Sequence, residues 1–373
     1  MIDLAKMPRL GFGLMRLPEK NGKIDLEQVK KMVDLYMASG FNYFDTAYVY
    51  HGGHSEEVLR SAVVERYPRD SFYAATKLPA WKMTKVADRD RIFEEQLRRA
   101  GLSFYDFYLL HSVEEGNYDG KYSKYDCFSW ALKQKAAGKI RHFGFSFHGK
   151  PALLRRILRE HPEVEFVQIQ LNYIDWTNPE ICSGELYGIL QEAGLPVIVM
   201  EPVKGGSLAS LPPEADELLH TLRPQASTAS WALRFVGSLP GVMTILSGMS
   251  DETQMKDNLA TFSPFVSLSE EEQDAIGQVR SKLLSIPQIA CTRCRYCVEG
   301  CPAKIEIPSV FKTVNALRLY PGDARLTESY AGDIAHGHGR AQSCLHCGQC
   351  EAVCPQHLPI VQLMEEAARL LDS

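Results

Sequence analysis

Residues 41–78 read FNYFDTAYVYHGGHSEEVLRSAVVERYPRDSFYAATKL. A short apolar run (43–47) comes first, a segment with helical spacing follows (55–65), and a second apolar run (72–78) closes the unit. Short apolar runs alternating with helical patterns point to strand–helix–strand units and a parallel sheet. Outward from here the unit recurs. Further apolar runs fall at 10–14, 106–111, 140–147, 166–172, 196–201 and 243–248, which makes eight. Helical patterns stand at 88–100, 128–137, 152–160, 185–193, 226–236 and 253–262. The first helix has Asp25 as its cap, apolar Leu26, Val29, Met32, Val33, Tyr36 and Met37 at helical spacing, and Gly40 at its end. Eight strand–helix units in about 250 residues is the arithmetic of a (β/α)8, or TIM, barrel. A doubly wound sheet would want a Gly-rich dinucleotide turn, and no G-x-G-x-x-G occurs.

The chain has 373 residues, 45% hydrophobic and 23% charged, enough for a large core and about two domains. A net charge of −5 provides no broad basic field, so nucleic acid is not an expected partner. No apolar stretch reaches the length of a membrane span, and the first residues carry scattered charges without an apolar signal region. The expected location is cytoplasmic, with no membrane partner. Of ten cysteines, eight crowd into two short stretches near the C-terminus, and none precedes residue 127. That usage points to metal ligation in a reducing compartment rather than to disulfides. The chain is expected to divide into a barrel, 1–285, and a metal-binding module, 286–373.

Asp45, Lys77, His111, Ser146, Asn172, Glu201 and Gly248 close the apolar runs. In a barrel that end carries the active site. Strand ends meet polar loops in any case, which accounts for Ser146 and Asn172. It accounts less well for Asp45, Lys77 and His111, since a charge after an apolar run needs a partner. With Tyr50, five residues after Asp45, these groups suggest proton transfer. A phenol titrates near 10. Lys77 would lower that value, Asp45 would hold Lys77 charged, and His111 would orient a substrate oxygen. The matching reaction protonates a carbonyl oxygen while hydride reaches its carbon.

The segments LGFGLMRLP, FNYFDTAYVYHGGHSE, ATKLP, DFYLLHS, GKIRHFGFSFHG, FVQIQLNY and ILSGMSDETQMKDNLATF resemble the aldo-keto reductases, in order, over about 260 residues. The resemblance implies a nicotinamide-dependent oxidoreductase acting on a small carbonyl substrate, an aldehyde or ketone. It maps the catalytic tetrad onto Asp45, Tyr50, Lys77 and His111, with Tyr50 as general acid. It assigns Ser146 and Gln168 to the carboxamide of the nicotinamide, and Gly13, Leu14 and Met15 to the cofactor beside the first strand. The stretch MEPVKGG, with Met200, Val203 and Gly205, resembles the pyrophosphate loop, and Ser250, Gln254 and Asn258 the adenosine end. Met200 replaces the aromatic residue the family usually stacks on the nicotinamide. Gln254 stands where many members place an Arg for the 2′-phosphate, with Lys204 or Lys256 as substitute point charges. The implied cofactor is NADP(H) or NAD(H). His51, His54 and His148 read as loop histidines or as walls of the substrate mouth, and Trp81 as rim cover or pocket wall. Cys127 and Cys182 read as inert buried thiols.

Leu268–Leu284 is expected to be a polar helix opened by a Ser269/Glu272 capping box. Then Cys291, Cys294, Cys297 and Cys301 fall in a C-x2-C-x2-C-x3-C-P run, repeated by Cys344, Cys347, Cys350 and Cys354. Two zinc sites are the plain alternative. The duplicated spacing is similar to the run of bacterial two-cluster ferredoxins, in which the fourth Cys of each run ligates the other cluster. That resemblance implies two [4Fe–4S] clusters, one on Cys291, Cys294, Cys297 and Cys354, the other on Cys344, Cys347, Cys350 and Cys301. The insert between the runs reads as helical at 308–319 and 326–334. The module is therefore similar to the mainly helical dicluster ferredoxin domains of larger enzymes. The final helix, 360–371, is expected to pack within this module. His336 and His338 are a weak metal pair. The whole chain resembles the iron–sulfur branch of the aldo-keto reductases, which implies electron transfer, with an electron-carrier protein as a further partner. A redox-sensing nucleotide-binding protein, or a reductase with purely structural clusters, are the other readings. Hydride moves two electrons, clusters move one each, and no flavin motif stands between them.

Overall fold

The computed structural model describes residues 3, 6–20, 22–179, 181–289, 291, 296–319, 324–354 and 358–372. The N-terminal part alternates strand and helix as the hydrophobic pattern requires. Its strands are β1 (Leu10–Gly13), the short hairpin β2 (Glu19–Lys20) and β3 (Lys23–Ile24), then β4 (Tyr43–Asp45), β5 (Tyr73–Pro79), β6 (Tyr105–Val113), β7 (Ile140–Phe147), β8 (Phe166–Gln170), β9 (Val197–Met200) and β10 (Val242–Ser247). All except the hairpin join one closed parallel barrel in the order β1-β10-β9-β8-β7-β6-β5-β4. The eight expected apolar runs supply these eight strands. The hairpin and the helix Pro213–Leu222 were not legible: the hairpin strands have two residues each, too short for a period to show.

Helices wrap the barrel where the 3.6-residue pattern stood. Asp25 caps Leu26–Ala38, its side chain accepting from the Gln28 N–H, and Val29, Met32, Val33 and Tyr36 are buried. The helix expected over 55–65 is α-helical only over Ser55–Leu59 and widens to a π turn over Arg60–Val64. Two apolar clusters follow from the closure. One lies between strands and helices, with Phe12, Phe44, Leu78, Tyr108, Phe145 and Ile169 from the outward faces of the strands. The other fills the barrel, with Tyr43, Ala75, Phe107, Leu109, Phe166 and Ile198 from the inward faces. Gly144 is required at the β7–β8 contact, because a Cβ there would stand 2.3 Å from the Phe166 carbonyl oxygen.

Two compact units are resolved: Met1–Ser210 with Glu217–Gly277, and Leu211–Asp216 with Gln278–Ser373. The helix Glu270–Ser285 opens with the expected capping box, the Glu272 N–H donating to Ser269 Oγ (3.2 Å) and the Ser269 N–H to Glu272 Oε2 (2.8 Å). The second unit is mainly helical. Its longer helices, Ile307–Leu319, Ala324–Ala335 and Ile360–Leu371, lie within a residue or two of expectation. Ile360, Met364 and Ala367 pack with Ile305, Phe311 and Val314 in that unit's own core, so the final helix does pack within its module. Among the described residues, no helix is long and apolar enough to cross a membrane.

Candidate functional site

Side chains alternate between the two faces of a strand, so inward positions recur every second residue. Tyr43, Ala75, Leu109, Phe166 and Ile198 line the apolar interior. Two residues further along the same strands come Asp45, Lys77, His111, Gln168 and Met200. Ser146 stands opposite Gln168 in the β7–β8 register. The polar layer is thus the next inward layer toward the C-terminal mouth. Lys77 Nζ donates to Asp45 Oδ1 (2.5 Å), to the Thr46 carbonyl (2.8 Å) and to Tyr50 Oη (3.4 Å). Lys77 and Asp45 are buried, at 0% and 3% exposure. The His111 ring centroid lies 5.9 Å from that of Tyr50 and 5.1 Å from that of Trp81.

Burial works against the charge on Lys77, but its pairing with Asp45 and its contact with Tyr50 together outweigh it and hold the ammonium above its ordinary value. Burial pushes the Asp45 carboxyl up against the pull of Lys77. The expectation for Tyr50 is reversed: burial, joined by the charge of Asp45, raises the phenol by more than Lys77 lowers it. Burial, then the charge of Lys77, hold His111 well below its ordinary value, so its imidazole is neutral.

A cavity of about 820 Å3 opens above this layer. Asp45, Tyr50 and His111 line one side, with Trp81, Ser146, His148 and Gln168. Gly13, Met15, Met200, Val203, Gly205, Ser250, Gln254 and Asn258 line the rest. Two expected residues are absent from the wall. Lys77 lies beneath it. Leu14 is a correction: its side chain is 1% exposed in the core between strands and helices, its N–H donates to the Asp45 carbonyl (2.8 Å) and its carbonyl accepts from Ser55 Oγ (2.9 Å). Gly13 and Met15 reach the cavity and Leu14 does not. Arg16, Ser112 and Asp257 also line the cavity and were missed. Arg16 follows directly on the LGFGLM stretch, and its position after β1 was the available signal.

Three buried polar atoms in the wall have no hydrogen-bond partner: Asp45 Oδ2, His111 Nδ1 and Gln168 Oε1. The other Gln168 amide atom, Nε2, lies 3.4 Å from the Met200 sulfur. The adjoining loop is held in an unusual shape. Glu201, Lys204, Gly205 and Gly206 have φ of 54°, 48°, 63° and 101°, values that cost energy for the two non-glycines. Asn172 Nδ2 ties the Glu201 carbonyl (3.1 Å), and Lys204 Nζ pairs with buried Asp175 (2.5 Å). Asn172 is therefore a turn-builder, and Lys204 is engaged by Asp175. Lys256 pairs with Glu252 on the surface (3.3 Å). His51 lines the cavity while its Nε2 accepts from the Leu17 N–H (3.2 Å), whereas exposed His54 bonds Glu57 (2.8 Å). Cys127 is buried, which pushes its thiol up to about 12. Cys182 is only half-buried and bonds the Pro179 carbonyl.

In the second unit Cys291, Cys297, Cys301, Cys344, Cys350 and Cys354 gather around one apolar core, and no disulfide joins them. Cys301 of the first run lines the same small cavity as Cys344, Cys347 and Cys350 of the second. Cys294 lies outside the described residues. Among the described residues no three His, Cys, Asp or Glu side chains are gathered about a single ion position. His336 bonds the Gly332 carbonyl (2.7 Å).

Residues 9–281 match the aldo/keto reductase family. The chain belongs to that family. Residues 290–358 match the 4Fe-4S dicluster domain. Among curated relatives, L-galactose dehydrogenase of Arabidopsis thaliana is 25% identical over 299 residues, covering 74% of this chain and 91% of that protein. An uncharacterised oxidoreductase of Bacillus subtilis is 24% identical, covering 74% and 92%. Among solved structures, an aldo/keto reductase from Klebsiella pneumoniae in complex with NADP and acetate superposes with a TM-score of 0.61 at 22% identity, over 74% of this chain and 92% of that one. The holo form of an aldo-keto reductase from Bacillus halodurans gives 0.59 at 24%, over 73% and 92%.

Proposed function

We propose that this aldo/keto reductase family member reduces a small aldehyde or ketone at the barrel mouth with NADPH or NADH, and that its C-terminal unit holds two [4Fe–4S] clusters that exchange electrons with a carrier protein. The observation that carries the reading is the contact of one buried ammonium, Lys77, with both Asp45 and Tyr50 Oη under the cavity. Unpartnered buried polar atoms cost about 1–3 kcal/mol each. Gln168 and His111, each carrying such an atom, line one cavity, which fits a polar ligand there, a carboxamide at Gln168 and Ser146 and a carbonyl oxygen at Tyr50 and His111.

When bound, the dinucleotide supplies a hydride to the carbonyl carbon. Tyr50 donates its phenolic proton to the carbonyl oxygen. Burial keeps that phenol protonated at neutral pH, the form an acid needs, and Lys77 stabilises the phenolate left behind. Asp45 keeps Lys77 charged and fixed. The neutral His111 hydrogen-bonds the same oxygen and orients it.

Thiolates are the donors that iron–sulfur clusters take. Cys291, Cys294, Cys297 and Cys354 would hold one cluster, and Cys344, Cys347, Cys350 and Cys301 the other. The cavity that Cys301 shares with the second run supports this crossed set. When bound, the clusters supply one-electron transfer. Such a module suits the reducing cytoplasm.

The test is anaerobic reconstitution followed by NADPH- and NADH-oxidation screens against aldehydes, ketones and quinones. About eight irons per chain are expected from two four-iron cubes. Tyr50→Phe should keep nucleotide binding and lose on the order of 10²–10⁴-fold in kcat. Undiminished carbonyl reduction by that variant would remove Tyr50 from its role, and about two zincs without visible absorption would end the cluster reading.

A further inference from the structure

We propose that Glu56 and Arg99, packed behind the barrel wall, are positioning residues: together they hold the turn that carries Tyr50 against the strand end that carries Lys77, and so set the contact between the general acid and its ammonium. The inference rests on the reading above, with Tyr50 as the proton donor. The contact to be set, Lys77 Nζ to Tyr50 Oη, is 3.4 Å. That is long for a hydrogen bond, so a small shift of either side decides whether it forms. Neither Glu56 nor Arg99 lines the cavity. Each acts through its neighbours.

Tyr50 opens a strained turn. His51 has φ 49° and ψ 45°, a left-handed conformation in a residue that is not glycine. Such backbone persists where its surroundings hold it. Arg99, from the helix Asp88–Ala100, grips this turn on both sides of Tyr50. Its Nη1 donates to the carbonyls of Tyr48 and Gly53 (3.3 Å each), and its guanidinium carbon lies 4.4 Å from the centre of the Tyr48 ring. Gly53, with φ of 100°, lets the guanidinium in: a Cβ there would stand 3.2 Å from Nη1. Arg99 Nη2 pairs with Glu95 (2.7 Å), which also accepts from the Tyr48 hydroxyl (2.8 Å).

Glu56 carries the grip to Lys77. It is fully buried, its Oε2 has no hydrogen-bond partner, and that oxygen faces Arg99 Nη1 at 3.6 Å. Its Oε1 accepts from the hydroxyl of Thr76 (2.7 Å), the residue before Lys77. Gln96 Nε2 closes the bridge, donating to Thr76 Oγ1 (3.0 Å) and to the Lys77 carbonyl (2.9 Å), while its Oε1 accepts from Tyr108 (2.7 Å). Next to Glu56, Ser55 Oγ accepts from Thr46 Oγ1 (2.7 Å), and the Thr46 carbonyl takes the Lys77 ammonium. One carboxyl thus spans the turn of the acid and the strand of the ammonium. The groups that face it are Arg99 and Gln96 from the helix, Thr76 from β5, and Tyr105 and Tyr108 from β6, both phenols kept neutral by burial. Burial pushes the Glu56 carboxyl up from 4.5 to about 7, against the pull of Thr76, Gln96 and Arg99. A raised carboxyl contributes stability in acid that is lost as pH rises toward the folded value. The ionised form therefore costs the fold, and what it gains is attraction for Arg99, which the protonated form lacks.

The full-length protein, its clusters reconstituted anaerobically, is assayed with NADPH and NADH against 4-nitrobenzaldehyde, a reactive aldehyde, on both sides of pH 7, beside Glu56→Gln and Arg99→Lys. Dinucleotide Kd and denaturant unfolding by tryptophan fluorescence are measured on each. In the unaltered protein kcat should rise through about pH 7 as Glu56 ionises. Glu56→Gln keeps the shape without the charge. It should flatten that rise, lower kcat about tenfold on the alkaline side and leave dinucleotide Kd unchanged. It should also remove the part of the stability that is lost between pH 4.5 and about 7. Arg99→Lys keeps a cation without the double grip on the turn, and should lower kcat about tenfold at every pH. A Glu56→Gln protein with the kcat and pH profile of the unaltered one would overturn the proposal, as would variants that lose stability alone. An unaltered protein that binds dinucleotide and reduces no aldehyde would overturn the reductase reading and this inference with it, so the two failures are distinguishable.

Discussion

Replacing Lys77 by Met keeps roughly the volume of the side chain and removes three contacts at once, to Asp45 Oδ1, the Thr46 carbonyl and Tyr50 Oη. Asp45 Oδ2 already has no partner, so the variant leaves a buried carboxylate with none on either oxygen. Breaking one side of a buried ion pair costs about 3–5 kcal/mol, and Asp45→Asn should cost about as much through the stranded ammonium. The double variant Lys77→Met/Asp45→Asn removes both charges and leaves only a poorly satisfied amide, at about 1–3 kcal/mol. It should therefore be far more stable than the sum of the singles, with a coupling of at least about 3 kcal/mol. All four tryptophans, Trp81, Trp130, Trp176 and Trp231, belong to the barrel unit, so denaturant unfolding followed by tryptophan fluorescence reads that unit alone. A pH series adds a second arm. Without Lys77, Asp45 has a folded pKa raised further above its unfolded value of about 3.9. Its protonated form is tolerated below that value, and stability is lost as pH rises through the folded pKa. Lys77→Met should thus come closest to the unaltered protein near pH 4 and fall furthest behind above neutrality. Lys77 itself, held above its ordinary value, loses nothing over that window. Singles that add to the double within about 0.5 kcal/mol, or a Lys77→Met deficit that does not grow with pH, would refute the coupling.

Cys354→Ala and Cys291→Ala should lose the same cluster and share one spectrum by electron paramagnetic resonance, while Cys350→Ala and Cys301→Ala share the other; pairing of Cys354 with Cys350 would mean that each run serves its own cube. For Glu272, burial alone would raise the carboxyl, but Arg234, the Ser269 N–H and Arg223 hold it down at about 2. Its contribution is present above the unfolded value and lost as pH falls from about 4.5 toward 2, so Glu272→Gln should cost about 2–4 kcal/mol at neutral pH and converge with the unaltered protein in acid, read by the same fluorescence unfolding.

How far the sequence carries depends on whether the deciding interaction is local. Period-two alternation is local, and six strands of it are enough to place Asp45, Lys77, His111, Ser146, Gln168 and Met200 in one layer once a barrel is assumed. Leu14 falls just past the end of β1, where alternation no longer decides which way a side chain faces. The Ser269/Glu272 capping box spans three residues and was readable; the grip of Arg234 (2.7 Å) on the same carboxylate crosses 38 residues and was not. Likewise, the pattern of eight thiols was plain in the chain, while the meeting of Cys301 with the second run in one cavity depends on how the insert folds.

Charges were the hardest to foresee. Lysine beside a phenol implies a lowered pKa, yet Tyr50 is shifted upward, because burial is a property of the closed barrel and outweighs one neighbouring charge. Lys204 looked free for a phosphate until the fold brought Asp175 against it from 29 residues away. The sequence by itself determined which elements form, which faces are apolar and which chemical groups each strand carries, since these follow from periods of two and 3.6 residues. Only the tertiary structure decided which of those groups touch and which charges are already neutralised, because desolvation and pairing belong to atoms that only closure of the barrel brings together.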